Sequence, residues 1–287
     1  MANGFNVDAQ WVQSQFADLR NLVPLGAGGF KRVFACTHDT EGQVVLKLIH
    51  PQQSLETTRR EILAVNQVGS PRVPQILAVG QISTPIGDLV WFRERRIMGE
   101  TVREMLSRGP LDKRHTLRLG LHVLETLVNA EGAGIVHRDV KPDNIICDGN
   151  VDFWLLDFGI ARHLQLQSQT ATGLPFGKMT LGYAPPEQCR NIKGEIDSRA
   201  DLFALGVTLY ECATGQHPFR HPPANDLEIL RRVESLPLVR LNFPFPAGPV
   251  FSDLLDAMTQ RRRDHRPRSA REAWDWMQEI CVREQVA

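Results

Sequence analysis

Two short segments in the middle of the chain concentrate side chains suited to phosphate chemistry. The segment HRDVKPDN contains Asp139, Lys141 and Asn144, and the sequence DFG, which begins at Asp157, follows after a short strand–turn–strand pattern. Phosphoryl transfer requires that several negative charges be neutralised and held in line with an incoming hydroxyl. A lone aspartate at the end of a strand more commonly caps a turn. For Asp139 and Asp157, which occur with a lysine and an asparagine, a chemical role is favoured over turn capping.

Two further motifs lie upstream of these segments. The sequence LGAGGFKRVF at 25–34 places glycines between two predicted strands, and VVLK at 44–47 ends an apolar strand with a lysine. A hairpin that contains several glycines is by itself commonly just a tight turn. Its position before VVLK gives the glycine motif more weight. Glycine at such positions lets backbone amides come close to a phosphate.

Taken in order, these motifs resemble those of the eukaryotic-like (Hanks-type) serine/threonine protein kinases, and the likeness covers nearly the whole chain. The resemblance implies that Asp139 accepts or orients the proton of a substrate hydroxyl. Lys141 would balance charge on the transferring phosphate. Asp157 and Asn144 would bind magnesium ions that bridge the phosphates of ATP.

The resemblance also assigns the residues that bind the nucleotide. Lys47 would contact the α- and β-phosphates of ATP, and Val33 would cover the base. The other assigned positions are the glycine-rich loop residues Gly26, Ala27, Gly28 and Gly29, Val45 in the following strand, and Ile146 in the floor of the adenine pocket. Lys31 stands where the family has a third glycine, and we expect its side chain to point to solvent.

In this family the lysine that ends VVLK pairs with a carboxylate from a helix. The resemblance favours Glu61, in TTRREILAV, as the partner of Lys47, with Glu56 as the alternative. A glutamate on the solvated face of the helix is the simpler interpretation. The segment WFRERRIMG at 91–99 fits the family's hinge poorly, because counting back from its glycine places Glu94 or Arg95 where an apolar residue and a glutamate are usual.

The sequence TLGYAPPEQ at 180–188 resembles the end of a kinase activation segment. Thr180 would then lie beside Asp139 and Lys141 and help to shape the site for the hydroxyl acceptor. Arg138 would be able to pair with a phosphate on the loop, at Ser168, Thr170 or Thr172. A serine- and threonine-rich loop in solvent explains the same residues equally well.

Other matches to the family are structural. Glu187 and Arg266 correspond to an ion pair that anchors the activation segment. Asp201 corresponds to a helix aspartate that binds the backbone of the catalytic loop. For His137 the expected role is packing against Phe158 rather than proton transfer.

Hydrophobic periodicity changes near residues 95–100. Before this point we predict a short helix within 8–20, three antiparallel strands over 22–49, a helix over 54–68, and strands over 75–82 and 88–95. After it we predict helices over 112–131, 199–214, 226–235, 250–260 and 269–284. The expected fold is α+β and bilobal: an N-terminal extension (1–21), a small β-rich N-lobe with one main helix (22–97) and a larger, mostly helical C-lobe (98–287).

Composition narrows the class of protein. The 287 residues contain 33 basic and 33 acidic side chains, and the zero net charge gives no global reason to expect nucleic acid or a membrane as partner. A structureless or fibrous protein is excluded. Five dispersed cysteines without a CxxC pair favour a reducing cytoplasm. We find no signal peptide and no apolar run long enough to span a membrane.

Three functions remain open. The first is an active serine/threonine protein kinase that uses ATP and Mg²⁺, modifies unidentified protein substrates and phosphorylates itself. The second is a small-molecule phosphotransferase of the same fold, which the complete activation segment disfavours. The third is a pseudokinase scaffold, supported only by Lys31 and the unusual hinge.

Overall fold

The computed structural model describes residues 7–27, 31–50, 55–84, 87–158 and 180–286. Within these ranges the chain divides into two compact units. The first is formed by residues 7–67 and 74–97, and the second by residues 68–73, 98–158 and 180–286.

The first unit is built on a five-stranded antiparallel sheet. Its strands are β1 (Leu19–Ala27), β2 (Lys31–His38), β3 (Gly42–Ile49), β4 (Ile76–Thr84) and β5 (Gly87–Arg95), in the spatial order β1-β2-β3-β5-β4. Helix α1 (Ala9–Gln15) precedes the sheet. Helix α2 (Leu55–Ala64) contacts β4 and β5 and tightens into a 3-10 turn at Val65–Val68.

The N-terminal segment, residues 7–18, covers one face of this sheet. Val12 and Phe16 are buried there with residues from β2, β3 and β5, and the ring of Phe16 meets Trp91 edge-on at a centroid distance of 5.3 Å. Burial of each large apolar side chain stabilises the unit by about 1.5–3 kcal/mol. Because successive strand residues alternate between faces, Val45 and Lys47 lie on the opposite face from Leu46.

The second unit contains most of the described helices. They are α3 (Val102–Leu106), α4 (Lys113–Gly132), α5 (Pro186–Cys189), α6 (Arg199–Thr214), α7 (Asp226–Ser235), α8 (Gly248–Met258) and α9 (Ala270–Arg283). A small antiparallel sheet has the order β6 (Glu100–Thr101), β7 (Ile145–Cys147) and β8 (Phe153–Leu155).

Helix α6 is the structural centre of the second unit. Every residue from Ala200 to Cys212 is buried, and the helix packs against α4, α8 and α9. A helix that is apolar on all sides can be stable only when other elements surround it. Gly215 ends it in the left-handed conformation with a φ of 71°, which glycine adopts at little cost. Polar side chains on α6 are therefore held in fixed positions.

One boundary differs from the sequence prediction. Residues 68–73 were expected in the N-lobe, but they group with the second unit. The backbone carbonyl of Arg72 accepts a hydrogen bond from Leu155 of β8 (3.0 Å), and its side chain pairs with Glu125 of α4. Ser70 also bonds Thr126 at 3.1 Å. These long-range bonds have no local sequence signal.

Two further observations concern the cysteines and the hydropathy of the helices. All five cysteines are buried, and none of them forms a disulfide bond. In the described part of the chain, no helix has the length and apolar character needed to cross a bilayer.

Candidate active site

The backbone of the catalytic segment, residues 137–144, is anchored to helix α6. The two carboxylate oxygens of Asp201 accept hydrogen bonds from the backbone nitrogens of His137 (2.7 Å) and Arg138 (2.6 Å). Arg138 has a φ of 65°, a conformation that is costly for a residue with a side chain. Asp201 is almost completely buried, so water does not compete for its two hydrogen bonds. These bonds to adjacent backbone nitrogens hold the strained backbone in place. The predicted contact between Asp201 and the catalytic loop is confirmed.

His137 uses both ring nitrogens to support the loop. Its Nδ1 accepts from the backbone nitrogen of Asp139 at 3.2 Å, so the proton is assigned to Nε2, which donates to the carbonyl of Leu156 at 2.8 Å. The ring lies 4.6 Å from that of Phe158, edge to face. The predicted packing role is confirmed.

Three side chains converge on the carboxylate of Asp139. Thr180 donates to Oδ1 at 2.9 Å, and Lys141 donates to Oδ2 at 2.9 Å. Asn144 donates from Nδ2 to the same Oδ2 at 3.1 Å and to the Asp139 carbonyl at 2.9 Å. Lys141 also donates to the hydroxyl of Thr180 at 2.8 Å. A threonine hydroxyl is thus held between a carboxylate that accepts its proton and an ammonium group.

Asn144 and Asp157 come from the same end of the β7–β8 hairpin. The register pairs Ile145 with Leu155, and the backbone nitrogen of Leu156 donates to the carbonyl of Asn144 at 2.8 Å. The Oδ1 atom of Asn144 accepts no hydrogen bond from the described residues, because its amide nitrogen is the atom turned toward Asp139. Amide and carboxylate oxygens are the ligands that Mg²⁺ prefers. These two residues therefore fit the chemistry of a magnesium site.

A network of polar side chains joins the catalytic segment to the segment that begins at Thr180. Arg103 of α3 donates to the hydroxyl of Tyr183 (2.5 Å), to Glu211 of α6 (2.8 Å) and to Asp143 (3.3 Å). The Tyr183 hydroxyl in turn donates to Glu211. Burial and the neighbouring Glu211 carboxylate raise the pKa of Tyr183, which keeps it a hydrogen-bond donor.

The segment that begins at Thr180 has a second anchor. Arg266, which is fully buried, makes a bidentate pair with Glu187 at 2.6 and 3.0 Å. The side-chain amide of Gln188 donates to the carbonyl of Arg138 at 2.9 Å. The predicted ion pair is confirmed, and the neighbouring glutamine ties the same helix, α5, to the catalytic segment.

In the first unit, three of the predicted nucleotide-binding residues share one sheet face. Val33 of β2 and Phe92 of β5 lie directly opposite Lys47 of β3, and Val45 lies two residues before it. Lys47 is buried, and its Nζ is 2.5 Å from Oε1 of Glu94. A carboxylate on a neighbouring strand therefore pairs with the lysine.

The remaining predicted residues lie in β1, β7 and α2 or outside the described part of the chain. Gly26 and Ala27 end β1, and Gly26 pairs with Val33 across the hairpin. Ile146 is half-buried in β7, between Thr101 and Trp154. Outside the described residues lie Gly28, Gly29, Ser168, Thr170 and Thr172. Glu61 lies in α2 without a described side chain, so its pairing with Lys47 stays a prediction.

Comparison with known proteins places this architecture in a family. The family model of the protein kinase domain matches residues 19–278. The chain belongs to the Hanks-type serine/threonine protein kinase family, which confirms the predicted bilobal kinase fold. The family implies ATP and a divalent metal.

Bacterial kinases are among its relatives. It is 34% identical over 216 residues to serine/threonine-protein kinase PknD of Mycobacterium tuberculosis, an alignment that covers 73% of this chain and 31% of PknD. It is 30% identical over 275 residues to serine/threonine-protein kinase pkn2 of Myxococcus xanthus, covering 89% and 31% of the two chains. Serine/threonine-protein kinase PknL of M. tuberculosis is 39% identical over 166 residues, covering 58% and 40%. The alignments span between 31% and 40% of these relatives.

Sequence reasoning missed the roles of two residues. Arg103 lies in a short helix, and its partners are 40 to 108 residues away, so spacing gives no signal for it. Glu94 did carry a signal, because a charged residue interrupts an apolar strand at a position where the family has an apolar one. The register of β5 against β3 was needed to connect it with Lys47.

Proposed function

We propose that this chain is an active kinase domain that transfers the γ-phosphate of ATP to serine or threonine hydroxyls of proteins, its own included. The observation that carries the proposal is the Thr180 hydroxyl held between Asp139 and Lys141 at 2.9 and 2.8 Å. A substrate hydroxyl needs the same two partners: a carboxylate to accept or orient its proton and a cation near the transferring phosphate.

The remaining roles follow from the chemistry of each side chain. Asn144 and Asp157 would hold Mg²⁺, which neutralises charge on the phosphates when bound. Lys47 would contribute a further positive charge to the α- and β-phosphates. Asp139 needs a fixed orientation to act on a hydroxyl, and the hydrogen bonds from Lys141, Thr180 and Asn144 supply it.

The two alternatives are less well supported. A small-molecule phosphotransferase would not need the segment that begins at Thr180, which the bonds of Tyr183 and of Glu187 with Arg266 fasten to the helical unit. A pseudokinase scaffold would not require Lys141 and Asn144 to be hydrogen-bonded to Asp139. The family membership and the bacterial kinase relatives also favour protein phosphorylation. We further propose a reducing, cytoplasmic setting, which the five cysteines support because none of them forms a disulfide bond.

The experiment is incubation of the purified chain with ATP and Mg²⁺, with mass spectrometry to detect phosphate on the chain and on a generic protein substrate. Phosphate should appear on both. Asp139→Asn removes the proton acceptor while keeping the side-chain shape, so the rate should fall about 100-fold or more. Omission of Mg²⁺ should abolish transfer.

Asp152→Asn is the matched control. Asp152 lies in the turn between β7 and β8 and pairs with Arg118 at 3.0 Å, away from the Asp139 cluster. This variant should keep the wild-type rate and lose only some stability. A wild-type chain that gains no phosphate and transfers none would contradict the proposal, and so would an Asp139→Asn variant as active as the control.

A further inference from the structure

Glu94 and Lys47 are diagonal neighbours on one face of the first unit's sheet. The register of β3 against β5 pairs Lys47 with Phe92 and Val45 with Glu94. Residues two apart on a strand share a face, so Lys47, Phe92 and Glu94 project to the same side. Long side chains in this diagonal arrangement can reach each other.

The two side chains form a tight and nearly dry ion pair. The distance from Lys47 Nζ to Glu94 Oε1 is 2.5 Å, and the side chains are 5% and 10% exposed. Nζ also lies 5.4 Å from the centre of the Phe92 ring. Away from water, the attraction between opposite charges is much stronger than at the surface. The pair and the aromatic ring therefore restrict where the ammonium group can be.

The neighbouring residue provides a comparison within the same strand. Arg93 projects to the opposite face, where it pairs with Glu41 at 3.0 Å and with Asp18 at 3.3 Å. That pair lies on the face covered by the N-terminal segment, away from the predicted nucleotide-binding residues. β5 thus carries two adjacent charged residues that form ion pairs on opposite faces, and of these two Glu94 contacts a residue assigned to the chemistry.

We propose that Glu94 is a positioning residue for Lys47, a strand carboxylate that fixes the ammonium group for contact with the phosphates of ATP. Because Glu94 belongs to the same sheet as Lys47, the pair persists whatever the placement of α2. A carboxylate from Glu61 can act in addition. The inference rests on the proposed function, in which Lys47 contacts phosphate.

The test compares two substitutions by measuring kcat and KM for ATP. Glu94→Gln keeps the size and an acceptor oxygen but removes the charge, and Glu94→Met removes both the charge and the acceptor. We expect kcat to fall about threefold in the first variant and at least tenfold in the second, with a higher KM for ATP in both. Folded Gln and Met variants that both retain wild-type kcat and KM would overturn the proposal.

A double variant separates positioning from a structural role. If Glu94 acts through Lys47, Glu94→Gln should have no further effect on the residual rate of a Lys47→Met enzyme. A purely structural role would lower that residual rate again and would overturn the proposal. This measurement decides the matter even if Glu94→Met fails to fold, because the Gln change is isosteric.

Glu41→Gln is the matched control, since it removes the carboxylate that pairs with Arg93 on the opposite face. It should lower the melting temperature while kcat and KM stay within twofold of wild type. The Lys47→Met single variant tests the proposed function separately. If that variant keeps full activity, the role of Lys47 is wrong; if it is inactive while both Glu94 variants are unaffected, only the role of Glu94 is wrong.

Discussion

The catalytic segment of the second unit and the Lys47 strand of the first unit hold their charged residues in different ways. Asp139 has bonds from three side chains, and the backbone beside it is fixed by Asp201 of α6. Lys47 is positioned by strand register together with the carboxylate of Glu94.

This difference follows from the local backbone. A strand fixes side-chain direction by alternation, so register alone places a long side chain such as Lys47 on the same face as Glu94. The catalytic segment has little regular structure apart from a 3-10 turn at Pro142–Asn144, and Arg138 lies in a costly conformation. Loop positions of this kind persist only when the surroundings over-determine them. Damage to a distant anchor should therefore matter more in the second unit than in the first.

The largest effect is expected from Asp201→Ala. The change leaves the buried backbone nitrogens of His137 and Arg138 without their acceptor, which costs about 1–3 kcal/mol for each. We expect the free energy of unfolding to fall by about 2–5 kcal/mol in urea titrations. At a temperature where the variant is still folded, kcat should fall at least tenfold, because the loop beside Asp139 loses its anchor.

Asp253→Ala is the control for this substitution. Asp253 lies on α8 and pairs at the surface with Arg240, and such a pair contributes about 1 kcal/mol or less. If Asp201→Ala is as stable and active as this control, the catalytic segment is held by its own bonds and the contrast between the two units is lost.

The sequence predicted regular elements better than long-range contacts. Helices over 199–214 and 226–235 were predicted with the observed bounds, because their apolar periodicity or capping residues are local. Within the predicted helix over 54–68, the described part is α-helical over Leu55–Ala64 and tightens into a 3-10 turn after Ala64. What sequence spacing does not contain is register, and register decides that Glu94 meets Lys47.

The site itself was predictable where a motif carries it. Thr180 lies beside Asp139 and Lys141 as expected, since the two motifs occur in a known order. Arg103 was not predicted, because an arginine in a five-residue helix resembles any solvated one. Its role depends on Tyr183 and Glu211. They meet Arg103 because α3, α6 and the segment that begins at Thr180 pack together.

Acid should weaken the second unit, through two buried histidines. Burial, reinforced by Arg72 and Arg118, lowers the pKa of His122 from 6.5 to about 4. Burial and the nearby Arg220 lower the pKa of His217 to about 3. Between pH 6.5 and 4 the unfolded chain binds protons that the folded chain does not, so stability falls as the pH falls through this window.

The expected loss between pH 7 and pH 5 is about 1–2 kcal/mol for each histidine. Urea titrations at the two pH values measure the total, and hydrogen exchange locates it. Amides near β8 and residues 217–220 should exchange faster at pH 5 once the intrinsic rates are corrected. His122→Asn should reduce the pH dependence, because asparagine does not titrate in this range. The asparagine oxygen can still accept the hydrogen bond from the backbone nitrogen of Phe153, so the fold is retained. An unchanged dependence would show that other groups cause it.

The smallest effect is expected in the first unit, from Lys31→Gly. Lys31 begins β2 opposite Ile49 and is only half-buried, and it occupies the position where the family has glycine. If its side chain points to solvent, the variant should change KM for ATP by less than about fivefold, because a partly exposed charge pair contributes about 1 kcal/mol or less. Lys47→Met, measured in parallel, removes a buried cation and should have a far larger effect. A tenfold or greater rise in KM for Lys31→Gly would mean that a second lysine contacts the phosphates. Lys47 and its partner Glu94 would then account for only part of the first unit's contribution to ATP binding.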